Sequence, residues 1–177
     1  VPVTLLKLTE GDVVAKVTET SPDMVGEAVV QGRAQVSLGA WIELDVNGAD
    51  LGELALPTLS EMTTHTFDLA MTVRAVPSVD VSWVYLFVNC DLAYSWEAQA
   101  PFEVIKHEQE LRVTLEEDAW VTVMAFGDDE MPAGLPSYDP RVTPRVVTNP
   151  IYLDGDGDGS WTAAGGKTCL IPEGRRP

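Results

Sequence analysis

The sequence has few basic residues for its size, and this shortage excludes two classes of partner. Eleven Lys and Arg residues stand against 28 Asp and Glu residues, which gives a formal net charge of −17. Nucleic acids and anionic membrane surfaces are bound through clustered Lys and Arg, so we expect neither as a partner. No apolar stretch approaches the roughly 18 residues that a membrane-spanning helix needs. We therefore expect no membrane insertion.

Histidine is also scarce, which argues against a catalytic metal site. The two histidines, His65 and His107, each lack a neighbouring Cys or second His, whereas catalytic zinc sites usually draw on several such ligands. The chain has no Gly-x-Ser-x-Gly elbow of the hydrolase type and no glycine-rich loop of the kind that holds nucleotide phosphates. Adjacent acids such as Glu116-Glu117-Asp118 and Asp128-Asp129-Glu130 are typical of solvated turns. The sequence predicts no catalytic residue.

Cysteine is limited to Cys90 and Cys169, too few for a disulfide-dense scaffold. They do not form the Cys-x-x-Cys pair of a zinc ribbon or a redox motif. Two interpretations stay open. One is a disulfide that closes a loop of about 80 residues, and the other is two free thiols, because sequence alone does not supply the geometry of a disulfide.

The chain is rich in apolar and polar residues that alternate with a period of two, a pattern typical of half-buried strands. Residues 42–46, 66–76 and 111–115 alternate in this way. Residues 81–88 and 120–126 are apolar on both sides, as in central strands. Strands at this spacing predict an all-β fold, a β-sandwich of Ig-like or jelly-roll-like type. Further short strands are predicted at residues 3–8, 12–18, 35–38, 102–105 and 146–153.

One short helix is predicted near the N-terminus. Ser21 can cap it, Pro22 suits its first position, and Gly32 ends it. We expect residues 1–32 to form N-terminal strands and this helix, and to link the chain to an upstream domain. Residues 33–177 are expected to form the β-sandwich domain.

The strongest local signal is the Asp-Gly-Asp-Gly-Asp-Gly sequence of residues 154–159. Carboxylates at alternate positions can surround one hard cation, and the glycines permit the tight turn that brings them together. We predict a structural calcium site with Asp154, Asp156, Asp158 and the carbonyl of Ser160 as ligands. The alternative is a solvated Asp-Gly turn without an ion.

The predicted calcium site needs further ligands, because Ca²⁺ takes about six to eight oxygens. In a helix-loop-helix calcium motif the twelfth position is Glu, but counting from Asp154 that position is Gly165. A distant acid such as Asp128 or Asp139 is therefore expected to complete the set.

Tryptophans and tyrosines offer flat faces on which sugars and other ligands can stack. Tyr94 and Trp96 lie in a segment that looks rich in turns, and they are the best candidates for an exposed ligand platform. The alternative is that these rings pack at the core and its rim.

Four stretches of the chain together resemble one known family. They are residues 27–48, with a Gly-Arg pair and a strand ending in Asn-Gly, residues 83–89, residues 118–127, and residues 148–159, which are the most specific. They resemble the region that follows the catalytic domain in PHP-type (polymerase and histidinol phosphatase) metallohydrolases of the carbaryl-hydrolase-like group. Ala40 stands where that group usually has proline, and Cys90 stands where it has glycine.

This resemblance implies an accessory β-domain and not an enzyme. The family binds its metals through His-x-His pairs, which this chain lacks, so no catalytic residue carries over. It implies that the partner is an upstream catalytic domain of the same polypeptide, a metal-dependent hydrolase. It also implies an extracytoplasmic location in a bacterium, whether periplasmic, lipoprotein or secreted. The alternative function is a free-standing carbohydrate- or surface-binding module, and the oligomeric state stays open.

Overall fold

The structure is a computed structural model that describes residues 3–6, 22–58, 65–100, 102–132 and 142–163. These residues form one helix and eleven strands. In chain order they are β1 (Val3–Leu6), α1 (Pro22–Val30), β2 (Ala34–Leu38), β3 (Ala40–Val46), β4 (Leu54–Ala55), β5 (Thr66–Ala75), β6 (Trp83–Val88), β7 (Asp91–Glu97), β8 (Ile105–Thr114), β9 (Ala119–Phe126), β10 (Arg145–Thr148) and β11 (Ile151–Leu153).

The larger sheet has eight strands and is built around β9. On one side of β9 lies β6, and β7 pairs with β6 at the edge, both antiparallel. On the other side β10 and β11 lie end to end, β10 against the second half of β9 and β11 against the first half. Beyond β10 come β2 and β1, and beyond β11 comes β4, which pairs with β11 in parallel.

The smaller sheet consists of β3, β5 and β8 in antiparallel order. Alternate residues of β5 are buried, as its period of two predicts. They join the buried residues of β9 and β6 in one apolar core that both sheets contribute to. The predicted all-β sandwich with one short helix is thus confirmed. Among the described residues, no helix combines the length and the apolar character that crossing a membrane requires.

The helix begins at Pro22 and ends as the sequence predicts. Gly32 has a φ of 73°, a conformation that glycine adopts without steric cost. The N–H of Gly32 donates to the carbonyl of Val29, and the N–H of Arg33 donates to that of Ala28, the pattern of a Schellman C-cap. Ser21, the predicted N-cap, lies outside the described residues.

Several predicted strands differ in their bounds. Residues 102–104 form a turn, and β8 begins at Ile105. The segment that looks rich in turns is the edge strand β7, most of whose side chains are exposed, so its sequence carries no alternation. Residues 12–18 lie outside the described residues. The division at residue 32 stays a prediction, although β1 pairs with β2 and so extends the larger sheet.

Candidate metal centre

The Asp-Gly loop begins where β11 ends. The N–H of Asp154 donates to the carbonyl of Ala55 at 3.1 Å, which continues the pairing of β11 with β4. The side chain of Asp154 is buried, with 2% of its surface exposed. Its Oδ2 accepts a hydrogen bond of 2.9 Å from the N–H of Gly159. The loop therefore closes back on its own first residue.

Asp118 lies beside Asp154 because of the strand register. Ala119 pairs with Leu153, so the residue before β9 is placed next to the residue after β11. Asp118 is buried, and its Oδ1 accepts a hydrogen bond of 2.9 Å from the N–H of Gly155. Its Oδ2 accepts hydrogen bonds from the N–H and the hydroxyl of Thr162 at 2.6 and 3.0 Å. Asp118 thus holds both ends of the loop.

Asp118, Asp154 and Asp156 form a cluster of three carboxylates. Each offers one oxygen, and these oxygens lie within 4.8 Å of one another. The Oδ1 of Asp154 is buried and has no hydrogen-bond partner in the part of the chain that the structure describes. A buried carboxylate oxygen without a partner is unfavourable unless a cation or a donor reaches it. The cluster therefore fits a bound cation, and its all-oxygen donor set suits a hard ion such as Ca²⁺ or Mg²⁺.

The electrostatics of Asp118 keep it in its charged form. Burial raises the pKa of its carboxyl, but hydrogen bonds from Thr162 and from the N–H groups of Gly155 and Asp156 outweigh burial and hold the pKa below 3.8. Hydrogen bonds to the charged form of an acid act in this direction. Asp118 is consequently a carboxylate at neutral pH, which is the form that binds a cation.

Two of the three predicted aspartate ligands lie in this cluster, and the role predicted for the carbonyl of Ser160 stays a prediction. Asp154 and Asp156 belong to it. The Oδ1 of Asp158 instead accepts hydrogen bonds from the N–H and the hydroxyl of Ser160, at 2.8 and 2.7 Å, and both residues are exposed. These two residues close a local turn.

The acid that accompanies the loop is Asp118 and not Asp128, the distant acid expected from the sequence. Asp128 follows the opposite end of β9, where its Oδ2 accepts a hydrogen bond of 3.1 Å from the indole of Trp83. Asp139 lies outside the described residues. The prediction that Asp118 lies in a solvated turn is wrong, because Asp118 is buried. Only the register of β9 with β11 places it beside Asp154.

Two side chains, those of His65 and Trp161, connect the loop and its end to the surrounding strands. The Nδ1 of His65 is hydrogen-bonded to the carbonyl oxygen of Gly155. The indole N–H of Trp161 donates to the carbonyl of Ala119 at 2.9 Å, and its ring lies 4.7 Å from that of Tyr152. The loop is therefore held by contacts on both sides in addition to those of Asp118.

The predicted ligand platform is partly occupied by internal contacts. The rings of Tyr94 and Trp96 are stacked, with centroids 5.5 Å apart. Trp96 also packs against the buried ring of His107 at 5.7 Å. Tyr94 is 41% exposed. Of the two rings, Tyr94 is the one that presents substantial surface to solvent.

Cys90 takes part in a disulfide bond. The second cysteine of the chain, Cys169, lies outside the described residues, so the predicted Cys90–Cys169 pairing stays a prediction.

No protein-family model matches the chain, and no curated protein and no solved structure matches it either. The resemblance to the region after the catalytic domain of PHP-type metallohydrolases therefore rests on the four stretches of sequence alone.

Proposed function

We propose that this chain is a non-catalytic accessory β-sandwich domain, in which Asp118, Asp154 and Asp156 bind one structural calcium ion. The observation that carries this proposal is the buried Oδ1 of Asp154, which has no hydrogen-bond partner among the described residues and lies in a cluster with two further carboxylates. Three carboxylates this close repel one another when no cation lies between them.

The ion joins three parts of the sandwich. Asp118 immediately precedes β9, Asp154 immediately follows β11, and Asp156 lies in the loop between β11 and Trp161. A cation that binds only the folded state stabilises it by about 2.7 kcal/mol at a concentration of 100 times its Kd. The ion thereby fixes a loop in which two glycines have positive φ.

Calcium suits this loop better than magnesium. Mg²⁺ requires near-ideal octahedral geometry and retains several waters, whereas Ca²⁺ accepts irregular sets of carboxylates, carbonyls and waters. Asp118 and Asp154 are held by backbone hydrogen bonds, and Asp156 is exposed. The Oδ1 of Asp156 also accepts a hydrogen bond of 3.1 Å from the N–H of Asp158. The irregular backbone of the loop thus positions all three carboxylates, which suits the less exacting geometry of calcium.

The hydrogen bonds that the buried acids accept support the accessory role. Asp118 and Asp154 accept hydrogen bonds from loop backbone and from Thr162, so they organise a loop. The partner proposed from the sequence resemblance is an upstream metal-dependent hydrolase domain of the same polypeptide, exported from a bacterium. We expect the gene to encode His-x-His motifs upstream of Val1, and reading that sequence tests this part directly.

A thermal melt tests the calcium site. The chain is melted in EGTA, in CaCl₂ and in MgCl₂. We expect calcium to raise the Tm of the wild type more than magnesium does, and the Asp154→Asn variant, which has the same size but no charge, to lose this shift. Asp158→Asn is the matched control and keeps it. Equal Tm values with and without calcium, or a full shift in Asp154→Asn, would refute the site.

Glycan binding at Tyr94 is a second candidate, favoured by the 41% exposure of that ring on an edge strand. A glycan array probed with the wild type and with Tyr94→Ala tests it. Retention that the substitution abolishes supports a binding module, and no retention on any glycan rejects it.

A further inference from the structure

His107 is buried in the core without a polar partner. Only 1% of its surface is exposed. Neither ring nitrogen has a hydrogen-bond partner among the residues that the structure describes. A neutral imidazole carries one donor and one acceptor, and a charged one carries two donors. Burial at this site therefore costs less for the neutral ring than for the charged ring, whose charge and two N–H donors find no partner among the described residues.

A β-bulge places His107 in the core. The pairing of β5 with β8 shifts between Val73 and Arg74, so that Val73 faces His107 and Arg74 faces Ile105. Lys106 is the extra residue, and both Lys106 and His107 are buried. An extra residue of this kind re-aims the side chains of a strand. Strict alternation would have turned one of these two side chains towards solvent.

His107 lies where the two sheets meet at one edge. It belongs to β8, an edge strand of the smaller sheet, and its ring packs on Trp96 of β7, an edge strand of the larger sheet. Tyr94 stacks on the same indole. The side chain of Gln99, in the connection from β7 to β8, bonds the backbone of Glu108 in both directions, at 3.1 and 3.3 Å. The contact between Trp96 and His107 therefore closes this edge of the sandwich.

The charged groups around His107 do not compensate a charge on its ring. Burial alone lowers the pKa of His107 from 6.5, and no charged group contributes to the shift. The elements around it carry several charged residues, namely Lys106, Glu108, Glu110 and Arg112 of β8, Asp68 and Arg74 of β5, Asp91 and Glu97 of β7, Glu103 before β8 and Asp80 before β6.

Several of these charged groups interact with residues other than His107 or are exposed to solvent. Burial lowers the pKa of Lys106, while Asp80 and Glu103 act on that lysine and raise it. Arg74 forms a salt bridge of 3.1 Å with Glu43. Glu97 and Glu108 are exposed.

We propose that the contact between His107 and Trp96 is a pH-sensitive closure of the sandwich, shut with a neutral imidazole and opened when mild acid protonates it. Protonation would leave two buried N–H donors and a charge without partners. Opening separates β7 from β8 at this edge and exposes the indole of Trp96. The device is independent of the calcium centre, which lies beyond the other end of β8.

The sign of the effect follows from linkage. The unfolded chain takes up the proton near pH 6.5, and the folded chain takes it up only at lower pH. Stability is therefore constant well above pH 6.5 and falls as the pH drops below it. The unfolding equilibrium constant rises by up to about tenfold per pH unit in this window, because one unit of pKa difference corresponds to a factor of ten.

Urea unfolding between pH 7.5 and 5.5 tests the proposal, with EGTA present so that the calcium centre stays constant. We expect the steep rise in the wild type and in His65→Gln, which removes the only other histidine. His107→Leu should show a much flatter profile. A profile in His107→Leu as steep as in the wild type, or a flat profile in the wild type, would overturn the proposal.

Two further measurements on the wild type test the proposal even if His107→Leu does not fold. They also show where the sandwich opens. The His107 ring resonance in NMR of the wild type should stay neutral down to a pH clearly below 6.5, and titration at 6.5 or above contradicts the proposal. Amide exchange, corrected for intrinsic rates, should increase at pH 5.5 in β7 and the first half of β8 before it increases in β9. An equal increase in every strand would reject local opening.

Discussion

Two buried polar sites lie at opposite ends of β8, and they differ in how the fold treats charge. His107 is near the start of the strand, while just beyond its end Leu115 donates to the carbonyl of His65, whose ring contacts the Asp-Gly loop. At the loop, Asp118 receives hydrogen bonds from backbone and hydroxyl donors. At the other end, His107 receives none from any described residue.

The difference shows that burial does not by itself decide the charge of a side chain. Both side chains lose water, and burial disfavours the charged form of each. Converging donors nevertheless keep Asp118 ionised, with a lowered pKa, whereas burial alone lowers the pKa of His107 and keeps it neutral. A buried charge is stable where the backbone supplies partners. The first site can accordingly bind a cation, and the second can respond to acid.

The largest effect is expected from Gly155→Ala, which breaks the loop that surrounds Asp118. A Cβ at this position would lie 1.9 Å from the carbonyl oxygen of Glu117, so the backbone must move. We expect a loss of about 4 kcal/mol in the free energy of unfolding, measured in urea. In the matched control, Gly159→Ala, the Cβ meets nothing within 4 Å, and only the φ of 85° is unfavourable. That variant should lose about 1 kcal/mol, and equal losses in both would contradict the close approach.

Asp118→Ala should rank second, because it removes the acceptor but leaves the backbone path intact. The N–H groups of Gly155 and Thr162 lose their partner, and unsatisfied buried donors cost about 1–3 kcal/mol each, so we expect a loss of about 3 kcal/mol in total. The control is Asp128→Ala, an exposed acid beyond the other end of β9, which should change the urea midpoint little. A similar midpoint for the two variants would show that the hydrogen bonds to Asp118 do not stabilise the loop.

Lys106→Met tests how burial affects charge at the β-bulge near His107, because Lys106 is the other titratable residue of that bulge. Lys106 is fully buried, and burial lowers its pKa from 10.5 although Asp80 and Glu103 raise it. The charged lysine is thus less favourable in the fold than in the unfolded chain, and wild-type stability should rise as the pH increases towards 10.5. The methionine variant should lose that rise and be more stable at pH 7 by about 1 kcal/mol. Unfolding curves at pH 7 and pH 10.5 check this, and a variant less stable than the wild type at both would refute it.

The smallest effect is expected from Ser160→Ala, since this hydroxyl serves the exposed turn with Asp158 and not the carboxylate cluster. The calcium-induced Tm shift should be the same as in the wild type. Loss of the shift would show that the turn of Ser160 and Asp158 contributes to calcium binding.

Local patterns predicted much of this fold. The alternation in β5, the C-cap at Gly32 and the turn-forming glycines of the Asp-Gly loop each depend on residues close in sequence, and the structure has all three. The exposed edge strand β7 was not predicted, because a strand without a buried face has no alternation to detect.

The parts that were not predicted depend on distant pairings. Asp118 reaches Asp154 only through the register of β9 with β11. The burial of both Lys106 and His107 depends on a bulge opposite Val73. Neither feature leaves a periodic signal in the sequence, since each arises from how two strands meet and not from either strand alone.

Equilibrium dialysis of the whole chain against calcium measures whether Asp118, Asp154 and Asp156 bind an ion. We expect one tightly held Ca²⁺ per chain in the wild type and in Asp158→Asn, and a large loss of that ion in Asp154→Asn and in Asp118→Asn. No retained calcium in the wild type, or full retention in Asp154→Asn, would contradict it.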